Sequence, residues 1–247
     1  RSEDRWFNDA LGEIIEIGRV TGMPVQISHL KLAMASLWGR SPWIIQRLDA
    51  ARAEGIDLTA DIYPYTYWQA SMLVLLPERD PMDLAAIDFV MAELAPPDGI
   101  IFTHFPVEPN YVGMTLTEIA AAREQNPTEA FSALAQMSIA HETATGDVGD
   151  AVLGTSMRED DIATFMAWPH TNICTDGGLR DRHPRGAGSF PRVLGRYVRE
   201  QGVLSLESAI HRMTALSAQH MGFDERGVIA PGMIADLVLF IPDTVVD

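Results

Sequence analysis

The sequence predicts an α/β fold whose strands run parallel. Two observations support this: predicted helices and strands alternate near both ends of the chain, and the connections between them are short. Neighbouring parallel strands need a crossover, usually a helix, whereas an antiparallel meander needs none. The elements predicted before residue 66 are a helix over 2–20, a strand over 25–29, a helix over 41–55 and a strand over 56–62.

Local signals delimit these elements. The first helix has apolar residues near helical spacing, and Gly22 ends it. Ser41 is the predicted N-cap of the second helix, with Pro42 at the first helical position and Gly55 at the C-terminal end. The two short apolar runs are interpreted as buried strands.

Between residues 66 and 168 the alternation loosens. Helices are predicted over 81–94, 116–123 and 128–137, and a strand over 100–105. Thr115 and Glu118 have the spacing of a capping box. So long a segment between two strands predicts an insertion that covers a site.

The alternation then resumes and finally changes character. A helix is predicted over 159–167, a strand over 172–175, a loop over 176–189 and helices over 190–200 and 205–220. Residues 227–240 have the pattern of two short strands around a Pro-Gly turn. The C-terminal segment is therefore expected to form a small β appendage.

Charge and composition exclude several classes of function. Lys and Arg number 18 against 34 Asp and Glu, a net charge of −16, and no basic run occurs, which argues against nucleic-acid binding. No apolar stretch reaches the roughly 20 residues that span a membrane, and no signal peptide is visible. With Cys174 as the single cysteine, we expect a cytoplasmic protein. The chain opens at Arg1 inside a predicted helix, so we expect that its coding sequence begins earlier.

Polar residues follow three predicted strands at the point where each ends. These residues are His29, Tyr63 and Asp176. Because the carboxyl ends of parallel strands meet at one edge of a sheet, we expect the three side chains to converge there. Singly, each has a structural alternative: a hydrogen-bonded histidine, an aromatic residue that caps a core, and a turn-forming aspartate.

Imidazole and carboxylate at such an edge suit metal-assisted hydrolysis. A carboxylate can take the proton of a metal-bound water as that water attacks a carbonyl. A catalytic zinc usually has three protein ligands, however, and the seven histidines include no His-x-His pair. The sequence also contains no Gly-x-Ser-x-Gly motif and no phosphate-binding loop. After Asp176, His183 and Arg185 are candidates for contact with a substrate anion, with surface ion pairing as the alternative for Arg185.

Several strings together resemble the N-acyl-D-amino-acid deacylase (D-aminoacylase) branch of the amidohydrolase superfamily. They occur in the order of the family and cover most of the chain except its middle. Ser-His-Leu-Lys, Tyr-Pro-Tyr and His-Pro-Arg are the more specific strings, whereas the C-terminal string is common among amidohydrolases. The strings occupy residues 25–31, 61–65, 175–177, 183–185, 189–197, 213–214 and 226–240.

The resemblance implies a fold and an activity. Residues 1–222 would form the C-terminal part of a TIM-like (β/α)8 barrel, with 66–168 inserted over the site and 223–247 adding strands to a small β-sandwich. The implied reaction is hydrolysis of the linear amide of an N-acyl-D-amino acid, or a related amide, by water activated at one or two zinc ions. His29 would bind metal, Asp176 would be the general base and touch the metal, and Tyr63 would help to hold the substrate carboxylate.

Departures from the family pattern limit this implication. The His-x-His ligands of the family belong to early strands that would precede Arg1, so we expect this chain to need the remainder of its own barrel or a homo-oligomer. Tyr67 and Trp68 are expected to narrow the substrate pocket, and Arg185 to replace a missing partner of the substrate carboxylate. A cyclic amidohydrolase of the dihydroorotase type, or a non-catalytic fragment acting only by association, are the alternatives.

Overall fold

The computed structural model describes residues 2–178 and 182–246. Short 3-10 turns connect several of its elements, and α3 and α7 each continue as a π-helix, over Val90–Leu94 and Val193–Glu200. The strands are β1 (Val25–Ile27), β2 (Leu58–Ile62), β3 (Tyr67–Ala70), β4 (Ile100–His104), β5 (Ala151–Thr155) and β6 (Thr171–Ile173). The helices are α1 (Phe7–Thr21), α2 (Ser41–Ala53), α3 (Leu84–Phe89), α4 (Leu116–Ala122), α5 (Pro127–Thr145), α6 (Glu159–Ala167), α7 (Arg185–Arg192), α8 (Leu206–Met213) and α9 (Ala215–His220).

The chain divides into two compact units. The first unit comprises residues up to Leu32, Trp38–Tyr65 and residues from Arg158 onward, and the second comprises Ala33–Leu37 and Thr66–Met157. The long stretch of the second unit begins at Thr66, as the predicted insertion does, and ends at Met157, whereas the predicted insertion continues to residue 168 and includes α6. That this unit is an insertion over a site stays a prediction.

The first unit contains a parallel three-stranded sheet in the order β1-β2-β6. Val25 of β1 pairs with Leu58 of β2, and Ala60 of β2 pairs with Thr171 of β6. All five residues of the central strand β2 are buried. This confirms the predicted α/β class with parallel strands, and the carboxyl ends of all three strands therefore lie at one edge.

The start of α2 corrects one prediction. Ser41 is the first residue of the helix and not its N-cap, which is Arg40. The carboxylate of Asp161 on α6 supplies the cap instead: it accepts hydrogen bonds from the amides of Gly39 (2.8 Å) and Ser41 (3.3 Å) and from the Ser41 hydroxyl (2.5 Å). A distant carboxylate thus satisfies the amides that local sequence signals assigned to a serine.

The second unit is built on an antiparallel sheet in the order β3-β5-β4. Trp68 of β3 is buried, its Nε1 donates to Ser156 Oγ at 2.6 Å, and its ring covers Gly154 of β5. Trp68 is therefore a core residue of this unit, and the expectation that Tyr67 and Trp68 narrow a substrate pocket stays a prediction. The predicted capping box of Thr115 and Glu118 is present at the start of α4.

The late helices and the C-terminal segment also differ from expectation. The predicted loop over 176–189 is shorter, since α7 already starts at Arg185, and residues 179–181 of that loop lie outside the described part. A break at Thr214 divides the predicted helix over 205–220 into α8 and α9.

No strand occurs in the described residues 223–246, so the two strands predicted over 227–240 are absent here. Leu239 is fully exposed, and Val238 is 87% exposed. A strand needs a hydrogen-bonding neighbour, which this segment does not find within the described residues. The assignment of 223–247 to a β-sandwich stays a prediction. No described helix is both long enough and apolar enough to cross a membrane.

Candidate active site

Three polar residues lie at the carboxyl edge of the parallel sheet, as the sequence predicts. His29 follows β1, Tyr63 follows β2 and Asp176 follows β6. His29 and Asp176 both have left-handed backbone conformations, with φ of 41° and 47°. Such conformations are costly for residues other than glycine and concentrate at functional sites.

His29 belongs to a hydrogen-bonded cluster with Glu3 and Lys31. The Glu3 carboxylate lies 2.9 Å from His29 Nδ1 and 2.8 Å from Lys31 Nζ, and Lys31 Nζ lies 2.7 Å from the same imidazole nitrogen. Burial opposes ionisation of Glu3, but the hydrogen bond to His29 and the positive charge of Lys31 prevail and lower its pKa to about 2. These contacts occupy Nδ1, so Nε2 is the ring nitrogen available to a further ligand.

The ring of Tyr63 contacts two cationic side chains, those of Arg185 and Lys31. Its ring is buried, with the Arg185 guanidinium carbon 4.6 Å and Lys31 Nζ 5.7 Å from the ring centroid. Burial raises the pKa of the phenol far above its usual range, although Arg185 opposes the shift. Tyr63 is therefore a neutral hydrogen-bond donor, and its hydroxyl has no partner among the described residues.

Asp176 forms an ion pair with Arg185. Arg185 Nη1 lies 2.6 Å from Asp176 Oδ2, and the Arg185 side chain is buried whereas that of Asp176 is partly exposed. The Nε of Arg185 is buried and has no hydrogen-bond partner within the described part of the chain. The pair thus holds the Asp176 carboxylate in place while one guanidinium donor stays available to an anion.

His183 is buried beside two tyrosine rings. It is 3% exposed, and its ring meets Tyr63 and Tyr65 edge-on with centroids 6.2 and 5.4 Å apart. Its Nδ1 accepts a hydrogen bond from the Arg185 amide at 3.0 Å. The structure thus gives His183 a supporting position at the start of α7, and its predicted contact with substrate stays a prediction.

Three residues at this edge were not predicted as site residues from the sequence: Glu3, Lys31 and Asp61. Lys31 is buried although it is a lysine, and Asp61 is buried within β2. Lys31 lies within the Ser-His-Leu-Lys string, and Asp61 precedes Tyr63 by two residues. Side chains two residues apart on a strand point to the same face, so the position of Tyr63 already indicated that Asp61 lies on the same face.

Two of the remaining histidines have hydrogen-bond partners of their own. His104 contacts the Val148 carbonyl oxygen at 3.1 Å, and His220 Nδ1 lies 2.8 Å from Asn172 Oδ1. Within residues 2–178 and 182–246, no three His, Cys, Asp or Glu side chains are grouped so that they could hold a metal ion. The edge therefore offers an imidazole and a carboxylate, which are two of the ligands that a catalytic zinc requires.

Known proteins resemble this chain in sequence and in structure. Residues 106–246 match the model of the amidohydrolase family, Amidohydro_3. Along its whole length the chain is 35% identical to N-acyl-D-glutamate deacylase and 32% identical to D-aminoacylase, both from Alcaligenes xylosoxydans xylosoxydans, and it covers 45% of each.

A solved structure gives the same result. The crystal structure of N-acyl-D-glutamate deacylase from Bordetella bronchiseptica, complexed with zinc and a phosphonate inhibitor, superposes with a TM-score of 0.82 at 36% identity. The superposition covers 100% of this chain and 46% of that one. This chain spans somewhat less than half the length of the relatives that it matches, and the predicted resemblance is confirmed: the chain belongs to the amidohydrolase family.

Proposed function

We propose that the protein takes part in the zinc-dependent hydrolysis of the linear amide bond of an N-acyl-D-amino acid or a closely related amide. One observation carries the proposal. A histidine and an aspartate with left-handed backbones follow strands of one parallel sheet, beside a buried tyrosine and arginine that each keep an unused hydrogen-bond donor. The activities of the deacylases that match the chain support the same reaction.

The unused donors fit a substrate carboxylate. The Tyr63 hydroxyl and Arg185 Nε are both buried without partners among the described residues, which is costly unless a ligand satisfies them. A carboxylate has two oxygens that accept hydrogen bonds, and the positive charges of Arg185 and Lys31 on the ring of Tyr63 favour an anion. The carboxylate of an N-acyl amino acid therefore suits this position.

The donors at the edge also fit part of a zinc site. His29 would bind through Nε2, since its Nδ1 is occupied, and Asp176 would offer the oxygen that is free of Arg185. A zinc ion at this position would supply an acidified water and would polarise the amide carbonyl. Asp176 then takes a proton from the attacking water and returns it to the leaving nitrogen, and Arg185 keeps the carboxylate oriented during both transfers.

Further ligands must come from residues outside this cluster. A catalytic zinc usually has three protein ligands, and one or two ions are proposed here. β1 and β6 are the edge strands of the described sheet, so each has one side available for another strand. A groove of about 330 Å³ between α1 and β1, lined in part by Phe7, Leu11 and Ile14, borders His29. We propose that the remainder of the same barrel, or a second copy of the chain, completes the site. A cytoplasmic location stays a prediction.

The test combines metal analysis with a substrate panel. Zinc content of the protein, purified together with the remainder of its barrel, is measured by elemental analysis, and hydrolysis of N-acetyl-D-amino acids with acidic and apolar side chains is compared with hydrolysis of their L-enantiomers. We expect one or two zinc ions per chain and hydrolysis of D-enantiomers only. Turnover of dihydroorotate without turnover of linear amides would establish the cyclic alternative. Absence of both zinc and turnover would establish the non-catalytic one.

A further inference from the structure

Asp61 is a buried carboxylate on the central strand of the parallel sheet. It is 7% exposed and pairs in register with Asn172 of β6. Its face of the sheet is polar, since Gln26 and Thr59 lie there and Thr59 Oγ1 donates to Gln26 Oε1 at 3.3 Å. Strands of parallel sheets are usually apolar on both faces, so this polar layer calls for an explanation.

Among the described residues, the groups that hydrogen-bond to the Asp61 side chain are donors. Its Oδ1 accepts from the His29 amide at 2.6 Å, and its Oδ2 accepts from Gln26 Nε2 at 2.6 Å. A carboxylate is the side chain that offers acceptors alone, which is why an acid suits this position better than an amide.

The same residue also binds the next backbone amide. The Asp61 carbonyl oxygen accepts from the Leu30 amide at 2.8 Å. Asp61 therefore holds two successive amides of the turn in which His29 has its left-handed φ of 41°. Without the bond to Oδ1, the His29 backbone is free to relax towards an ordinary conformation, and the imidazole turns with it.

We propose that Asp61 is a positioning residue, which fixes the backbone of His29 so that its imidazole points to the zinc site. The inference rests on the proposed function, because it assumes that His29 binds zinc. Asp61 acts through the backbone and touches neither the metal nor the substrate.

A matched pair of variants tests this inference. Asp161 is also buried, belongs to the same unit and accepts from backbone amides, those of Gly39 and Ser41, but it lies on α6 and its hydrogen bonds do not involve His29. Asp61→Ala and Asp161→Ala thus each remove a buried acceptor of amides, and only the first affects His29. Asp61→Asn keeps one acceptor oxygen and serves as the rescue variant.

The readout is zinc affinity, measured on the purified, metal-depleted protein by competition with a chromophoric chelator. The visible spectrum of the cobalt-substituted protein reports the geometry of the ligands. We expect Asp61→Ala to weaken zinc binding by about tenfold or more, as loss of an outer contact to a metal ligand commonly does, and to change the cobalt spectrum. Asp161→Ala should retain wild-type affinity and spectrum, and Asp61→Asn most of the affinity.

Equal zinc affinity and cobalt spectra in Asp61→Ala and Asp161→Ala would overturn the inference. If Asp61→Ala does not fold by circular dichroism, Asp61→Val, which suits a buried strand and lacks an acceptor, is measured with the same two outcomes. His29→Ala separates the two claims. If it binds zinc as well as the wild type, then the proposed function fails first and the inference with it. If it loses zinc while Asp61→Ala does not, only the inference fails.

Discussion

Replacing Tyr63 by phenylalanine is expected to stabilise the unliganded protein. The hydroxyl is buried without a partner among the described residues, and an unpaired buried hydroxyl costs about 1–3 kcal/mol. Phenylalanine keeps the ring, and with it the contacts to Arg185 and His183. The free energy of unfolding should therefore rise by about 1 kcal/mol or more, and Tm by about 2–4 °C per kcal/mol.

Substrate binding should change in the opposite direction. A hydrogen bond from the Tyr63 hydroxyl to a substrate carboxylate contributes about 1.5–3 kcal/mol, because one partner is charged. Its loss lowers kcat/KM by about 10- to 150-fold. The effect should appear mainly in KM, since the carboxylate lies away from the reacting bond and is held equally in the ground state and the transition state.

Thermal unfolding followed by circular dichroism, together with steady-state kinetics, measures both effects in one variant. Tyr65→Phe is the control: Tyr65 is also buried beside His183, but its hydroxyl is not assigned to the substrate, so KM should not change. A lower Tm for Tyr63→Phe combined with an unchanged KM would refute the reasoning, because the hydroxyl would then have a partner within the protein and none in the substrate.

Three further predictions concern stability. Burial raises the pKa of Asp150 despite its hydrogen bonds, so the folded state binds this proton more tightly than the unfolded state does. The free energy of unfolding of the wild type, measured relative to Asp150→Asn, should therefore fall as the pH rises from about 4 through the raised pKa. Burial lowers the pKa of His220, so the wild type should lose stability relative to His220→Gln as the pH falls from about 6.5 through the lowered pKa. If the difference in free energy of unfolding between the two proteins is the same at pH 7 and pH 5, this prediction is contradicted. Gly154→Ala places a Cβ 2.0 Å from the Trp68 ring and should lower the free energy of unfolding, measured by thermal unfolding, by about 1–3 kcal/mol or more. Gly12→Ala within α1 has no described atom outside its own helix closer than 3.9 Å to its Cβ and should raise the free energy of unfolding by about 0.5–1 kcal/mol.

The sequence predicted the parallel sheet because its signals are local. When short connections join alternating helices and strands, the usual geometry is a helical crossover between parallel strands. For this reason β1, β2 and the helices next to them were predicted from the sequence. The cap of α2 was assigned incorrectly, because the group that satisfies its amides, Asp161, is 120 residues distant from Ser41 in sequence. Strands in the C-terminal segment were predicted from composition, but strand formation depends on a partner that composition does not supply.

The site was predicted only in part for the same physical reason. His29, Tyr63 and Asp176 stand at strand ends, a position that sequence order reveals. Lys31 contacts the ring of Tyr63 and Asp61 contacts the His29 amide across the sheet, and both contacts depend on the register of β1 against β2. Burial of a lysine or an aspartate is visible only when its hydrogen-bond partners are known.

The most direct test of the account is the rate of hydrolysis of N-acetyl-D-glutamate by zinc-loaded Asp176→Asn compared with the zinc-loaded wild type. Zinc content is measured on the same samples, so that a loss of metal and a loss of the base are separated. If Asp176 transfers the proton of the attacking water, kcat should fall by about 10²- to 10⁴-fold with zinc still bound. An unchanged kcat at equal zinc content would contradict the account, because proton transfer would then not depend on Asp176.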